Sequence, residues 1–523
     1  MSSRGARWAA LALAGALALG MGKTPPHRDA AEAWRAQGQA AVDAARGLLP
    51  GRRPARNVIL FIGDGMGVST VTAARILEGQ LRGHSGEEHQ LAFERLPHVA
   101  LIKTYNTNQQ VPDSAGTATA MLTGVKTRAG VLNLDASAPR GVPSEPEQRL
   151  RTLFEEAEER GLATGVVTTT RLTHATPAAA WAHTPNRDWE SDAALPAAAA
   201  AAGERDIALQ LVEMEAGDGI DVALGGGRLQ FLPATATDPE YPDQRGARAD
   251  GRDLLAEWRA ARPGRATLWK RDQLASPEVQ GATQLLGLFE PSHMQFDALR
   301  ESDGAGEPSL ADMTALAIER LAVHEKGYLL LVEGGRIDHG HHASNAFLAL
   351  HDTIAFSAAV DAALERVDTG ETLLVVTADH SHVLSLAGYP QRGNPILGLV
   401  RGTDPRGEPA DEPMLDASGL PYTTLGYANG PGYPGASEAQ PEGVKRFPHF
   451  PREVKGVTQG RPDLSAVDTS DPRYLQESAV PFVAETHAGE DVPLYAGGPG
   501  AHLFHGVQEQ SYVYHAIAAA LGW

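Results

Sequence analysis

An α/β fold, with a large and mostly parallel central β-sheet flanked by helices on both faces, is the expectation from this sequence. Three observations carry it: continuous apolar runs of strand length, helical periodicities between them, and acids and histidines gathered where the runs end. The first run covers residues 57–62 and stops at Gly63-Asp64-Gly65. An unbroken apolar run of this length reads as a strand buried on both faces, as in parallel sheets. A helical pattern follows over residues 69–81. Further strands are expected at 163–168, 328–332 and 372–377, and further helices at 149–160, 309–323 and 346–367. Residues 388–475 are rich in Gly, Pro and Asp and carry no periodicity. They are expected to leave the core as a surface subdomain.

The chain has 523 residues, 65 acidic against 45 basic side chains, a formal charge of −20, and no cysteine. Such a length can bury a large core without covalent staples. Zero cysteine excludes disulfides, cysteine-based metal clusters and a thiol nucleophile. The acidic balance, with no basic patch, argues against nucleic-acid binding. At the N-terminus, Arg4 and Arg7 precede an apolar run over residues 8–22. That pattern is a signal peptide (residues 1–22), with an uncleaved membrane anchor as the other reading. Residues 23–56 read as a linker, and residues 57–523 as the folded domain. The expected location is exported, periplasmic or secreted, with no stable membrane span once the signal is removed.

The chemistry lies at strand ends, where ligands collect in open α/β sheets. Asp64 follows the first run, Glu333 the run at 328–332, and Asp379-His380 the run at 372–377. Asp338 and His342 are spaced i, i+4, which on a helix places them on one face a turn apart, as a metal requires. His339 and His341 are read as solvated loop residues, and His382 as structural or as a support behind the ligands. In Pro112-Asp113-Ser114-Ala115-Gly116, a serine opens a helix beside free backbone N–H groups. Near Thr168, Arg171, His174 and Thr176, Arg187 offers the planar fork that grips two phosphate oxygens.

Taken in order, Gly63-Asp64-Gly65-Met66-Gly67, Asp113-Ser114-Ala115, His174-Ala175-Thr176-Pro177, Glu333 to His342, Thr377-Ala378-Asp379-His380-Ser381 and Glu485-Thr486-His487-Ala488-Gly489 resemble the alkaline phosphatase family. The resemblance runs from about Asn57 to Trp523 and is nearer the animal type than the enteric bacterial type. It implies a crown-like subdomain at 388–475 near a homodimer interface, longer here at 402–421 and 438–460. It also implies two zinc ions and one magnesium ion per subunit. Asp338, His342 and His487 are implied as ligands of one zinc, and Asp64, Asp379 and His380 of the other. Asp64, Thr176 and Glu333 are implied for magnesium. Oxygen donors suit magnesium and imidazole suits zinc.

By the same resemblance Ser114 is the nucleophile and Arg187 the phosphate clamp. His174 stands behind the ligands where the enteric type has an acid. The implied activity is broad phosphomonoester hydrolysis through a phosphoserine, with small-molecule phosphomonoesters as substrates. A peripheral calcium is implied on Glu240, the Phe289 carbonyl and Glu290, with Glu307 as the last ligand. A sulfatase or diesterase relative is the rival enzyme reading. It is disfavoured because Ser114 lacks the sulfatase C/S-x-P-x-R context and Arg187 suits a dianionic group. A binder that does no catalysis is the third reading, set against the intact nucleophile and ligands.

Overall fold

The computed structural model describes residues 53–523. The signal segment at 1–22 and most of the 23–56 linker lie outside the described residues. Eight strands lead in sequence: β1 (Asn57–Gly63), β2 (His98–Lys103), β3 (Ala163–Arg171), β4 (Val222–Gly226), β5 (Arg265–Leu268), β6 (Gln284–Leu288), β7 (Tyr328–Gly334) and β8 (Thr372–Ala378). Seven follow: β9 (Ser381–His382), β10 (Leu384–Leu386), β11 (Leu425–Gly430), β12 (Ser478–Pro481), β13 (His487–Ala488), β14 (Val492–Gly497) and β15 (Gly506–Glu509). Ten of them form one sheet in the order β15-β2-β14-β8-β1-β7-β3-β4-β6-β5. Only β14 runs antiparallel to its neighbours, so the sheet is mostly parallel as expected.

The centre of the sheet is its most apolar part. Every residue of β7 and β8 is buried, and in β1 only Asn57 is partly exposed. Register then places the chemistry. Gly63 pairs with Gly334 on one side and Ala378 on the other, so the chain leaves β1, β7 and β8 at one level. Asp64, Gly335 and Asp379 are therefore the first residues past the sheet edge, and Glu333 sits one step inside, beside Thr168.

Two groups of helices cover the sheet. The helices Val68–Leu81 and Leu310–Leu321 pack on the long helix Ala346–Arg366, and the helices Ser114–Thr123 and Tyr512–Leu521 pack on each other. Ala346–Arg366 is long and apolar enough to cross a membrane by length and composition alone. Here it is a core helix: Phe356 lies edge-on to Phe61 and Phe93, each 6.0 Å away. The helix expected at 149–160 begins later, at Leu153. Thr152 accepts from the Glu155 N–H while Glu155 reaches back to the Thr152 N–H, and this capping box sets the start.

Within 388–475 the one strand is β11, part of a small sheet with β10 and β12. Polar side chains pin the rest. The buried Lys445 amine donates to the carbonyls of Pro434, Pro441 and Gly443, and Arg461 pairs with Asp416 and Glu477. A segment without periodic apolar faces holds its shape through such satisfied backbone groups.

Candidate active site and metal centre

Three loops and two helix ends meet beyond β1, β7 and β8. After β1 the chain turns at Gly65, whose φ of +70° is the left-handed region. A Cβ there would sit 2.3 Å from the His382 ring, so glycine is required twice over. The turn delivers Asp64, fully buried, with no hydrogen-bond partner on either carboxylate oxygen. Asp379 is fixed instead: its Oδ1 accepts from the N–H groups of Gly65 (3.0 Å) and His380 (2.8 Å). His380 Nε2 lies 3.4 Å from Asp64 Oδ1, 3.3 Å from Asp379 Oδ2 and 3.1 Å from the Ser114 hydroxyl.

Ser114 is the first residue of a fully buried helix. Asp113 caps it, accepting from Gly116 N, and the same carboxylate takes Gly130 N, Asn106 Nδ2 and Arg187 Nη1. Burial alone would raise the Asp113 carboxyl. Arg187 and the two backbone N–H groups outweigh burial and hold it below its ordinary value. Arg187 is thus aimed by an ionised acid on one side. On the other, its Nη2 donates to His174 Nε2 at 3.0 Å. Arginine only donates, so the His174 proton is on Nδ1, a buried atom with no partner. Nδ1 of His174 is therefore a donor, unsuited to ligate.

A second group forms on the helix Arg336–His342 and β13. His342 Nδ1 faces the Glu485 carbonyl at 2.5 Å and His487 Nδ1 faces the Pro112 carbonyl at 2.7 Å. A carbonyl can only accept, so both rings carry a proton on Nδ1 and turn Nε2 inward. Those two nitrogens are 3.2 Å apart, and Asp338 Oδ1 is 3.2 Å from one and 3.4 Å from the other. Two ring nitrogens and a carboxylate oxygen this close repel unless a proton or a metal cation sits among them; against the effect of burial, Asp338 raises the His342 pKa, so a proton fills that role where no metal does. The donors are the imidazole–carboxylate mixture that zinc accepts.

His382 stands behind this group. Its Nε2 is 2.7 Å from Asp338 Oδ1 and its Nδ1 is 2.5 Å from Glu485 Oε2. Burial works against its charge, but the two carboxylates push it up to about 10. A protonated ring has no lone pair to give, so His382 supports Asp338 rather than competing for a metal. Burial likewise would raise Asp338, yet the three imidazoles hold it well below its ordinary value.

Glu333, Thr176 and Asp64 make the third group. Glu333 Oε2 accepts from Thr168 and from Thr170 (3.1 Å), while Glu333 Oε1 and Thr176 Oγ1 are buried without partners. Burial and the nearby Asp379 push Glu333 up to about 7. Burial, then Asp379, Asp338 and Glu333, raise Asp64 well above its usual range. Orphaned oxygens of carboxylate and hydroxyl type, so densely charged, fit a hard divalent cation.

Several residues at the site carry no local signal in the sequence. His341 is no solvated loop residue: it is fully buried, with Nε2 2.9 Å from Thr70 Oγ1 and Nδ1 2.8 Å from the Tyr427 hydroxyl. His339 also faces inward; its Nδ1 takes Arg336 (2.9 Å) and its ring lies 4.3 Å from His293 and 5.8 Å from His174. His293 in turn meets Arg171 Nη1 at 2.5 Å, a contact across 122 positions that no local pattern announces.

The peripheral group is separate. Glu290 and Glu307 are buried, and Glu240 is half-buried. The carboxylates of Glu240, Glu290 and Asp303 lie within 4.8 Å of one another. Glu307 stands outside that trio, both its oxygens accepting from Gln295 N at 3.1 and 3.2 Å. Phe289 is buried at the head of the same loop.

A buried serine at a helix start, an oriented arginine and three donor groups at the ends of a parallel sheet define a hydrolase site of the metal-assisted class. The alkaline phosphatase family model matches residues 55–523. Over 498 residues the chain is 45% identical to the tissue-nonspecific alkaline phosphatase of Gallus gallus, covering 94% of this chain and 89% of that one. The human tissue-nonspecific isozyme is 44% identical over 496 residues, covering 93% and 88%. Among solved structures, Thermus thermophilus alkaline phosphatase superposes with a TM-score of 0.62 at 27% identity, covering 92% of this chain and 94% of that one. An alkaline phosphatase from the Antarctic bacterium TAB5, as a His-to-Asp mutant with magnesium in its M3 site, shares the fold at TM-score 0.58 and 22% identity, covering 90% and 99%. The chain belongs to the alkaline phosphatase family and is a phosphoric monoester hydrolase.

Proposed function

We propose that this enzyme hydrolyses phosphate monoesters of broad leaving group through a phosphoserine at Ser114, with two zinc ions and one magnesium ion per subunit. The observation that carries the reading is the Ser114 hydroxyl 3.1 Å from His380 Nε2, beside an Asp64 carboxylate with no partner. Asp338, His342 and His487 would hold one zinc, and Asp64, Asp379 and His380 the other. Asp64, Thr176 and Glu333 would hold magnesium. Bound there, the metals supply positive charge for a dianionic group and lower the pKa of oxygens they touch.

The remaining chemistry is done by the chain. The Ser114 hydroxyl gives its proton to solvent as its oxygen attacks phosphorus, the P–O bond to the alcohol breaks, and the alcohol oxygen leaves with a proton from solvent. Water then displaces the serine oxygen, and inorganic phosphate departs. Arg187, held by Asp113 and His174, grips the oxygens that stay on phosphorus through both steps. Positioning and charge stabilisation are what phosphoryl transfer demands, so this set suffices. No residue of the set reads the alcohol, which is the basis for broad specificity.

Glu240, the Phe289 carbonyl, Glu290 and Glu307 are proposed for a peripheral calcium. The partition into a signal at 1–22, a linker at 23–56 and an enzyme domain at 57–523 with a crown-like excursion at 388–475 is kept as a proposal. So are export to a periplasm or medium and homodimer formation. The test is side-by-side hydrolysis of a phosphomonoester, a phosphodiester and a sulfate ester, with and without added zinc and magnesium. The monoester is expected to be turned over fastest, by about 10³-fold or more, and only with metal. A diester or sulfate ester turned over as fast would overturn the assignment.

A further inference from the structure

Two short turns meet beside the proposed phosphate clamp. β3 ends at Arg171, and residues 171–174 close a turn in which the His174 N–H donates to the Arg171 carbonyl at 2.9 Å. In a second turn, over residues 186–189, the Trp189 N–H donates to the Asn186 carbonyl at 3.1 Å; Arg187 lies inside it and Glu190 just past it. Side chains tie the two turns at two levels. The inner tie is Arg187 Nη2 to His174 Nε2 at 3.0 Å. The outer tie is Arg171 to Glu190. Nε meets Oε2 at 2.7 Å and Nη2 meets Oε1 at 2.6 Å, the two-point fork of arginine on a carboxylate. The Thr173 hydroxyl adds a further donor to Glu190 Oε2, at 2.5 Å.

The outer pair is mostly shut from solvent, with side chains 20% and 13% exposed. Each member is also braced on its far side. Arg171 Nη1 donates to Ser292 Oγ at 3.3 Å and lies 2.5 Å from His293 Nε2, and the Glu190 carbonyl accepts from the Ala208 N–H at 3.1 Å. A fork held in this way fixes angle as well as distance, unlike a single-point ion pair in water. Arg171 and His174 are joined by one turn, and Arg187 and Glu190 by the other, so the outer pair sets the separation at which His174 meets Arg187. Asp113 holds Arg187 Nη1 at 3.2 Å. A guanidinium held at one nitrogen can swing about that contact; the tie to His174 at the second nitrogen sets its plane.

We propose that the Arg171–Glu190 pair is a positioning element for Arg187, setting the angle of the guanidinium that grips the phosphate oxygens. This rests on the reading of Arg187 as the phosphate clamp and goes beyond it, assigning a role to two residues that act only through Arg187. The oxygens that stay on phosphorus are common to a monoester and to inorganic phosphate. Loosening Arg187 therefore weakens the hold on both, whatever alcohol is attached. Neither residue is among the acids and histidines of the three donor groups, so zinc and magnesium should stay in place.

The experiment uses the full enzyme loaded with zinc and magnesium. It measures the inhibition constant of inorganic phosphate, kcat and KM for a phosphomonoester, and bound metal. E190Q keeps the shape and removes the charge; R171K keeps the charge and removes the fork; circular dichroism checks that each is folded. Each is expected to raise the phosphate inhibition constant at least about fivefold, with zinc and magnesium content unchanged. The double variant with R187A separates positioning from support of the fold. R187A alone should weaken phosphate inhibition, and E190Q added to it should weaken it no further, because the pair then has nothing left to position. A residue that only holds the fold would add its effect in both backgrounds, and that additivity would overturn the inference. Phosphate inhibition within about twofold of wild type in folded E190Q or R171K would overturn it too, since coupled groups in contact show larger effects. So would magnesium lost in step with phosphate affinity, or failure of both variants to fold. Unchanged phosphate inhibition in R187A would instead overturn the clamp reading itself.

Discussion

Ser114→Ala is expected to lower kcat/KM for a phosphomonoester by at least about 10³-fold while the protein stays folded. The folding half follows from the helix. All ten residues of Ser114–Thr123 are buried, alanine is the better helix former, and the cap is made by Asp113, not by the serine hydroxyl. The loss of rate follows from position. In the proposed mechanism the Ser114 hydroxyl is the nucleophilic oxygen, and it lies against His380 at the point where Asp64 and Asp379 leave the sheet. Removing it leaves arginine and metal charge with no acceptor for the phosphoryl group. Steady-state kinetics with circular dichroism as the folding control checks both halves. Activity within tenfold of wild type would place the nucleophile elsewhere.

Stripping metal should cost stability as well as turnover. Both Asp64 oxygens, Glu333 Oε1 and Thr176 Oγ1 are buried without partners, and the Nε2 atoms of His342 and His487 crowd one another at 3.2 Å, so the metal-free centre is poorly satisfied. An ion that binds only the folded state at about a hundredfold over its Kd adds about 2.7 kcal/mol. Three such sites, in a chain of this size, correspond to a fall in Tm on the order of 10 °C after chelation. Activity should vanish with the metal and return with zinc and magnesium. The pH dependence has a definite sign. Buried acids raised towards neutral pH hold protons that a metal must displace, and Glu333 is pushed up to about 7. Reloading of the site containing Glu333 should therefore strengthen as pH rises through about 7. Calorimetric scans of holo and chelated enzyme test the shift, and equal melting temperatures would argue that the clustered acids are not metal ligands.

The central strands were legible because they are buried on both faces. β1, β7 and β8 appear as unbroken apolar runs, and their ends mark Asp64, Glu333 and Asp379. The edge of the sheet was not. β2 alternates partly exposed and buried residues, and β15 has no buried residue in four, so neither reads as an apolar run. β4, β5 and β6 are at most five residues long, too short for periodicity to separate strand from loop. At the site, the candidate ligands that fall in short motifs were visible as clustered acids and histidines, because the helix Arg336–His342 needs only local spacing. Residues whose meaning depends on a distant partner were not. His341 looks like one more polar residue in a loop until Thr70 and Tyr427 close around it, and Asp303 is ordinary until Glu240 lies against it.

The charge of −20 also takes on a local meaning. Asp64, Glu333, Asp338 and Asp379 count toward that total, yet all four are buried in the centre they are proposed to build. A dianionic substrate would meet Arg187 and the bound metals there, not the surface acids, which salt screens beyond about 10 Å. Attraction is then short-ranged, and it ends on the proposed nucleophile, the Ser114 oxygen.

That atom can be examined directly. The enzyme is mixed with a phosphomonoester, quenched in acid during turnover, digested and mapped for covalent phosphate. Phosphate is expected on Ser114 and on no other residue. Phosphate on His380 or elsewhere, or full turnover with no phosphorylated residue trapped, would contradict it.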